Sequence, residues 1–232
     1  MYTTVLCSSF VGKPSQANYS QKQMHKFPLS NRTLGTLGFL GAHYMLLAPL
    51  LPMRYPALAQ SAFDGLLGLA FMLSWMGSLL GLMRLQATGQ STFGHWILRA
   101  NLVTLTLANV WNIYQAIAPN ANTLVYRLLD LFWPISMGMM LLVGIAVARV
   151  GKLGGWRRYV PLAVGLWLPL TALLGKLMSL PLFNMGTSAQ DGTLYILLGS
   201  GLYASVSWCL LAYVVWSQPT LQPLYRTEAI RR

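Results

Sequence analysis

Long apolar runs separated by short polar segments dominate this chain. Six such runs follow a polar opening segment, and each is close to the roughly 20 residues that a helix needs to cross about 30 Å of hydrocarbon. The runs are continuously apolar and lack the alternation of barrel strands, so helices are expected. The pattern predicts an all-α, polytopic membrane helix bundle with six transmembrane helices, over or around residues 34–51, 65–83, 96–118, 131–148, 160–180 and 194–216.

The segments outside these runs are short and polar. Residues 1–33 are rich in Ser, Gln and Lys and are expected to form a disordered cytoplasmic leader. Met24 is an alternative start, so the sequence leaves open whether residues 1–23 belong to the native protein. Residues 34–217 form the predicted transmembrane domain, and residues 218–232 form a basic cytoplasmic tail.

The charge pattern predicts how the helices are oriented. With six spans, all but three of the sixteen Lys and Arg residues fall on the side of the two termini. The exceptions are Arg54, Arg127 and Lys176. The positive-inside rule then places both termini in the cytoplasm of a cell with a bacterial-type inner membrane.

The net charge of +12 also bears on partners. In a soluble protein such a charge suggests nucleic acid. Here the bases lie between apolar runs and form no separate basic domain, so no nucleic-acid partner is expected. Membrane lipids with anionic headgroups are the expected partners instead.

Small residues recur at helical spacing in several runs. Such residues allow two helix backbones to approach closely, either within the bundle or between a chain and a second copy or a membrane partner. Pro134 and Pro169 lie inside the fourth and fifth runs and predict kinks there. The small residues are Gly35, Gly38 and Gly41 in the first run, Gly77 and Gly81 in the second, and Gly201 and Ser205 in the sixth.

The third run carries a polar stripe. Asn101, Thr104, Asn112 and Gln115 recur at spacings that place them on one face of a helix. Unpaired amides are costly in lipid, so this face is expected to look into the bundle. It either lines a polar cavity or hydrogen-bonds to neighbouring helices.

Ionisable side chains gather at the level of the outer membrane half. Asp64 is expected to begin the second span, Arg127 and Asp130 the fourth, and Lys176 lies near the outer end of the fifth. Together with the stripe they form a candidate polar pocket, and His43, central in the first run, is added to it. The alternative is that these groups are interfacial, with Arg127 paired to Asp130 and Lys176 reaching the headgroups.

Motifs for chemistry are missing from the sequence. There is no phosphate-binding glycine loop, no nucleophile elbow and no zinc-protease motif, and a single central histidine is not a haem signature. No cofactor and no metal site are therefore expected. His-Glu-x-x-His is impossible because Glu228 is the only glutamate.

These features support three kinds of function. The first is a small transporter or small-molecule-binding membrane protein with an outward-facing polar pocket and an unknown ligand. The second is a structural or accessory membrane subunit that acts through helix–helix contacts. The third, a weaker alternative, is an intramembrane lipid-modifying enzyme that uses Asp130 or His43 as acid–base, although no catalytic pair can be aligned.

Overall fold

The computed structural model describes residues 29–58, 61–119, 123–178 and 189–218. Most of the predicted leader, and the predicted tail beyond its first residue, lie outside these ranges. Within them the chain is helical, with no strand. The helices are α1 Asn31–Ala42, α2 Tyr44–Arg54, α3 Ala62–Arg84, α4 Thr92–Ile117, α5 Leu124–Asp130, α6 Phe132–Val150, α7 Val160–Met178 and α8 Ala189–Ser217, with 3-10 helices at Pro56–Leu58 and Gly155–Tyr159.

Four helical segments of the described chain are long and apolar enough to cross a membrane. They are Ala62–Arg84, Leu124–Val150, Gly155–Leu177 and Ile196–Ser217. The first apolar run is split at His43 into α1 and α2, which have 12 and 11 residues. The helix α4 has 26 residues, but its polar side chains leave it outside this set. The all-helical prediction is confirmed, and the count of six spans stays a prediction.

The fourth run begins earlier than its apolar pattern indicates. The helix starts at Leu124, where the Thr123 hydroxyl accepts a 3.2 Å hydrogen bond from the Tyr126 N–H. Arg127 and Asp130 therefore lie in the first two turns of this helical segment, and that they begin the membrane span stays a prediction. A polar cap sets this start, and hydropathy does not report it.

The same segment is interrupted at Leu131, between α5 and α6. Pro134 has no N–H to donate to the carbonyl of Asp130 four residues earlier, so the helical hydrogen bond is lost at this point. The pattern resumes when Ile135 N–H donates to the Leu131 carbonyl over 3.3 Å. Pro169, in contrast, lies inside the continuous helix α7, and a kink there stays a prediction.

The helices pack around the bundle in chain order, and the last returns to the first. The first segment, α1, lies between α3 and α8, while α4 lies between α3 and α6. The helix α7 lies between α6 and α8, and α3 also touches α8 across the centre. Each long helix thus packs against at least two others, and the ring closes where α8 meets α1.

Glycines in α1 allow this ring to close. A Cβ at Gly35 would lie 2.5 Å from the Trp216 Cβ, and one at Gly38 would lie 2.5 Å from the Ser78 hydroxyl. Gly201 of α8 in turn faces the backbone of Met45. These glycine faces are covered by the chain's own helices. Early residues of α1 contact late residues of α8, so the two helices are antiparallel. The start of α1 and the end of α8 therefore lie at one end of the bundle.

Two loops reach this same end. Arg84, at the end of α3, donates to the Leu29 carbonyl. Lys152, in the loop after α6, donates to the Gln86 side chain over 3.1 Å. We call this the basic end, because the described bases that lie on or beside its loops are Arg32, Arg84, Arg149, Lys152, Arg157 and Arg158.

The glycines between α6 and α7 test the helix packing most directly. A Cβ at Gly144 would lie 2.5 Å from the Leu162 N, and one at Gly165 would lie 2.5 Å from the Leu141 N. Both obstacles are backbone atoms, which cannot rotate away. Gly138, on the same helix as Gly144, has no described atom within 4 Å of a Cβ.

We expect Gly144→Ala to lower the free energy of unfolding by about 1–3 kcal/mol, because the new methyl group overpacks the α6–α7 contact. Gly138→Ala is the matched control and should be neutral, or stabilising by at most about 1 kcal/mol through helix propensity. Denaturation by sodium dodecyl sulfate in mixed micelles, followed by tryptophan fluorescence, measures both. Equal stability of the two variants would contradict the close backbone contact between α6 and α7 at Gly144.

Candidate functional site

The polar stripe of α4 faces the interior of the bundle. Asn101, Asn112 and Gln115 are 0%, 2% and 1% exposed, and Thr104 is half-buried. The neighbours of α4 are α3 on one side and α6 on the other. Each buried amide therefore needs a partner from these helices or from α4 itself.

The half of the stripe nearer the basic end bonds to α6. The Thr104 hydroxyl donates to the Asn101 carbonyl over 3.0 Å. The Ser136 hydroxyl lies 2.9 Å from Thr104 Oγ1 and 2.7 Å from the Phe132 carbonyl, and its single proton serves one of them at a time. Asn101 Nδ2 lies 3.8 Å from Met140 Sδ, while its Oδ1 has no hydrogen-bond partner among the described residues.

The other half of the stripe bonds to α3. Asn109, which the stripe pattern does not include, places its Nδ2 3.4 Å from Met76 Sδ. Asn112 Nδ2 donates to Asn109 Oδ1 over 3.5 Å. Gly68 makes room for this pair, because a Cβ there would lie 3.1 Å from the Asn112 Cγ. The signal for Asn109 was its place two turns after Asn101, at the edge of the polar face.

Carboxyl, hydroxyl and amide groups meet at the end of the bundle opposite the basic end. The Tyr126 hydroxyl donates to Gln115 Oε1 over 2.7 Å, and the Tyr44 hydroxyl donates to Asp64 Oδ1 over 3.5 Å. Asp130 follows Tyr126 by one turn of α5, and Gly65, next to Asp64, packs against the backbone of Ala116, next to Gln115. We call the side chains of Tyr44, Asp64, Gln115, Tyr126 and Asp130 the polar cluster.

The polar cluster is partly open to its surroundings. Asp64 is half-buried in the first turn of α3, and Asp130 is exposed at the end of α5. A shallow, open cleft with about 10 Å³ of free space, room for about one water molecule, lies beside Asp64. The other residues that line this cleft are apolar: Ala48, Leu51, Pro52, Leu58, Phe63 and Leu67.

The structure thus brings Asp64, Gln115 and Asp130 of the predicted pocket together. Tyr44 and Tyr126 are the members that sequence reasoning missed. Their only signal was an aromatic hydroxyl at the level of the predicted acids, which is also the pattern of an interfacial tyrosine.

Three other predicted pocket residues, an arginine, a lysine and a histidine, lie at the surface of the bundle. Arg127 on α5 and Lys176 in the last turn of α7 are exposed, and each makes a contact of its own. His43 is exposed at the junction of α1 and α2, where its carbonyl accepts from the N–H groups of Leu46 and Leu47. Their membership of a pocket stays a prediction.

Aromatic rings fill the centre of the bundle between the two ends. Trp75 of α3 and Trp208 of α8 lie edge to face, with ring centres 5.5 Å apart at 83°. Trp208 meets Trp167 of α7 at 6.4 Å, and Trp167 meets Trp133 of α6 at 5.6 Å. Trp75 and Trp208 are 0% and 2% exposed, so this aromatic layer lies inside the packed bundle. Trp75 lies about three helical turns from Asp64, which is roughly 16 Å along α3.

Four helices that are long and apolar enough to span a membrane, together with a buried polar stripe, indicate a helical membrane protein. No family model matches the chain, and no curated protein or solved structure matches it either. A more specific function must therefore be argued from the geometry of the site.

We expect Tyr126→Phe to lower the free energy of unfolding by about 1–3 kcal/mol, because Gln115 is buried and loses the donor to its Oε1. Tyr114→Phe is the matched control. Its hydroxyl lies 3.5 Å from the exposed Thr123 Oγ1, where water can replace the lost contact. Thermal unfolding of both variants in nanodiscs measures the difference, and equal melting temperatures would show that the Tyr126–Gln115 bond contributes nothing.

Proposed function

We propose that this chain is a small transporter of the cell membrane that binds a small organic cation at the polar cluster. The observation that carries the proposal is the meeting of Asp64, Asp130, Gln115, Tyr44 and Tyr126 at one end of the bundle. Carboxylates, an amide oxygen and aromatic faces are the groups that bind a cation in proteins.

The residues around the cleft beside Asp64 support a ligand with an apolar body, for which the cleft would have to open wider. One carboxylate beside apolar side chains suits a molecule that joins an ammonium group to a hydrocarbon portion. The carboxylate would accept its charged hydrogen bonds, and Leu51, Phe63 and Leu67 would contact the hydrocarbon. The ligand class is therefore an alkylammonium compound.

The aromatic layer supports transport rather than binding alone. The polar cluster is open on one side, and the rings of Trp75, Trp208 and Trp167 close the bundle below it. A site open to one side and closed to the other is what one state of an alternating-access transporter requires. Passage of a cation would need these rings to separate.

The glycine motifs give less support to an accessory subunit. Gly35, Gly38 and Gly201 are covered by helices of the same chain, so these faces are occupied by intramolecular packing in this conformation. Among the described residues, a second copy of the chain would have to pack on faces other than these glycine faces.

The orientation follows from the charge asymmetry between the two ends. The basic end would face the cytoplasm, with both termini, by the positive-inside rule. The polar cluster would then open outward. This orientation agrees with a cluster whose acids attract external cations.

Cysteine accessibility tests this orientation. In a variant without Cys7 and Cys209, we expect Tyr55→Cys to react with a membrane-impermeant maleimide on intact cells, whereas Gly154→Cys should react only after lysis. Tyr55 and Gly154 are both exposed, and they lie towards opposite ends of the bundle. The reverse labelling pattern would turn the polar cluster to the cytoplasm.

Binding is tested with a panel of primary and quaternary alkylammonium compounds in nanodiscs, by thermal shift and by native mass spectrometry. We expect at least one compound to bind the native chain, and Asp64→Asn to weaken it about 10- to 100-fold, since charged hydrogen bonds contribute about 1.5–3 kcal/mol. Tyr44→Phe keeps both carboxylates and should retain most of the affinity.

A lack of binding by every compound, or equal affinity in Asp64→Asn, would overturn the cation site. Uptake of the bound compound into proteoliposomes then tests transport. Binding without uptake above that of empty liposomes would reduce the proposal to a binding protein.

A further inference from the structure

A row of exposed aromatic rings crosses the basic end. Trp156, in the 3-10 helix before α7, stacks on Tyr213 of α8 with ring centres 6.4 Å apart and an angle of 6°. Tyr213 stacks on Trp216 at 6.4 Å and 26°. The three rings are 52%, 37% and 41% exposed. We call these rings the aromatic strip.

Arginines stand at both ends of the aromatic strip. The Arg32 guanidinium lies 5.9 Å from the centre of the Trp216 ring and is exposed. Arg157 and Arg158 directly follow Trp156 in the chain. The Arg158 guanidinium lies 4.6 Å from the Tyr159 ring centre, and its Nε has no hydrogen-bond partner among the described residues.

The acidic side chains of the described bundle lie elsewhere. Asp64 and Asp130 belong to the polar cluster at the opposite end. The arginines that flank the aromatic strip are therefore not neutralised by these carboxylates.

We infer that the aromatic strip and its flanking arginines bind the headgroup region of an anionic phospholipid. Exposed tryptophan and tyrosine rings pack at the depth of the glycerol and ester groups of a bilayer. Guanidinium groups bind phosphate oxygens through charge-assisted hydrogen bonds. The combination matches a phosphate joined to an apolar glycerol ester, which an inorganic anion does not provide.

A general preference for anionic membranes differs from a site that holds one lipid. Bases scattered over the loops would attract any anionic surface without holding one molecule. Here Arg32 lies against one end of a row of three stacked rings from two elements of the fold, and Arg157 and Arg158 follow the ring at its other end in sequence. A lipid can therefore be contacted along its headgroup and its first methylene groups. The site is independent of the polar cluster.

The experiment reconstitutes the full chain in nanodiscs that hold equal amounts of phosphatidylglycerol and phosphatidylcholine with the same acyl chains. Native mass spectrometry then counts the lipids that remain bound. We expect phosphatidylglycerol to be retained over phosphatidylcholine, and Arg32→Gln to lower its retention roughly fivefold, the effect of one base at an anionic surface. Retention should also fall in high salt.

Two matched controls separate the site from general charge and hydrophobicity. Arg54 is exposed and lies 5.6 Å from the Tyr55 ring centre at the other end, so Arg54→Gln removes the same charge and should leave retention unchanged. Trp156→Leu should lower retention, whereas Trp96→Leu, at a 58% exposed tryptophan off the strip, should not.

Equal loss in Arg32→Gln and Arg54→Gln would overturn the site, since charge alone would then explain retention. Equal retention of the two lipids by the native chain would overturn it as well. Displacement of the lipid by millimolar inorganic phosphate would identify a simple anion site instead. Because all the changed residues are exposed, unfolding of a variant is checked by its melting temperature, and Arg32→Lys should restore most of the retention.

Discussion

The buried amides of the α4 stripe need partners inside the bundle, and much of the structure depends on this requirement. Amides without partners cost free energy in an apolar medium, so α4 cannot turn its stripe towards lipid. It is held between α3, which offers Met76 and the space at Gly68, and α6, which offers Ser136 and Met140. The order of helices around the ring follows from these contacts, because α3 and α6 must flank α4.

The bundle has three parts along its axis. At the basic end, arginines and a lysine bond to loop carbonyls and side chains and stand beside exposed aromatic rings. In the middle, four tryptophans from α3, α6, α7 and α8 pack edge to face and fill the centre. At the far end, Asp64 and Gln115 are held by tyrosine hydroxyls. The polar cluster and the aromatic layer thus lie at different levels along the bundle.

The two proposed sites use opposite charges for a common physical reason. A membrane protein has little surface in water, so a charged ligand must meet the chain at one of the two ends of the bundle. Carboxylates with aromatic faces at one end favour a cation, and guanidinium groups with aromatic faces at the other favour a phosphate. Both sites lie at the border between hydrocarbon and water, where a charge can be held without full desolvation.

The sequence by itself determined the helical class, the apolar segments and the inward face of the stripe, because hydropathy and helical period act within each segment. It also indicated that Asp64, Gln115 and Asp130 share one level, since depth follows from the position along a span. It could not determine that Tyr44 and Tyr126 bond to Asp64 and Gln115, that Thr123 starts α5, or that Arg32 lies against Trp216. Those contacts join residues from different helices, or depend on a single cap, and only the packing of the helices around one another decided which side chains meet.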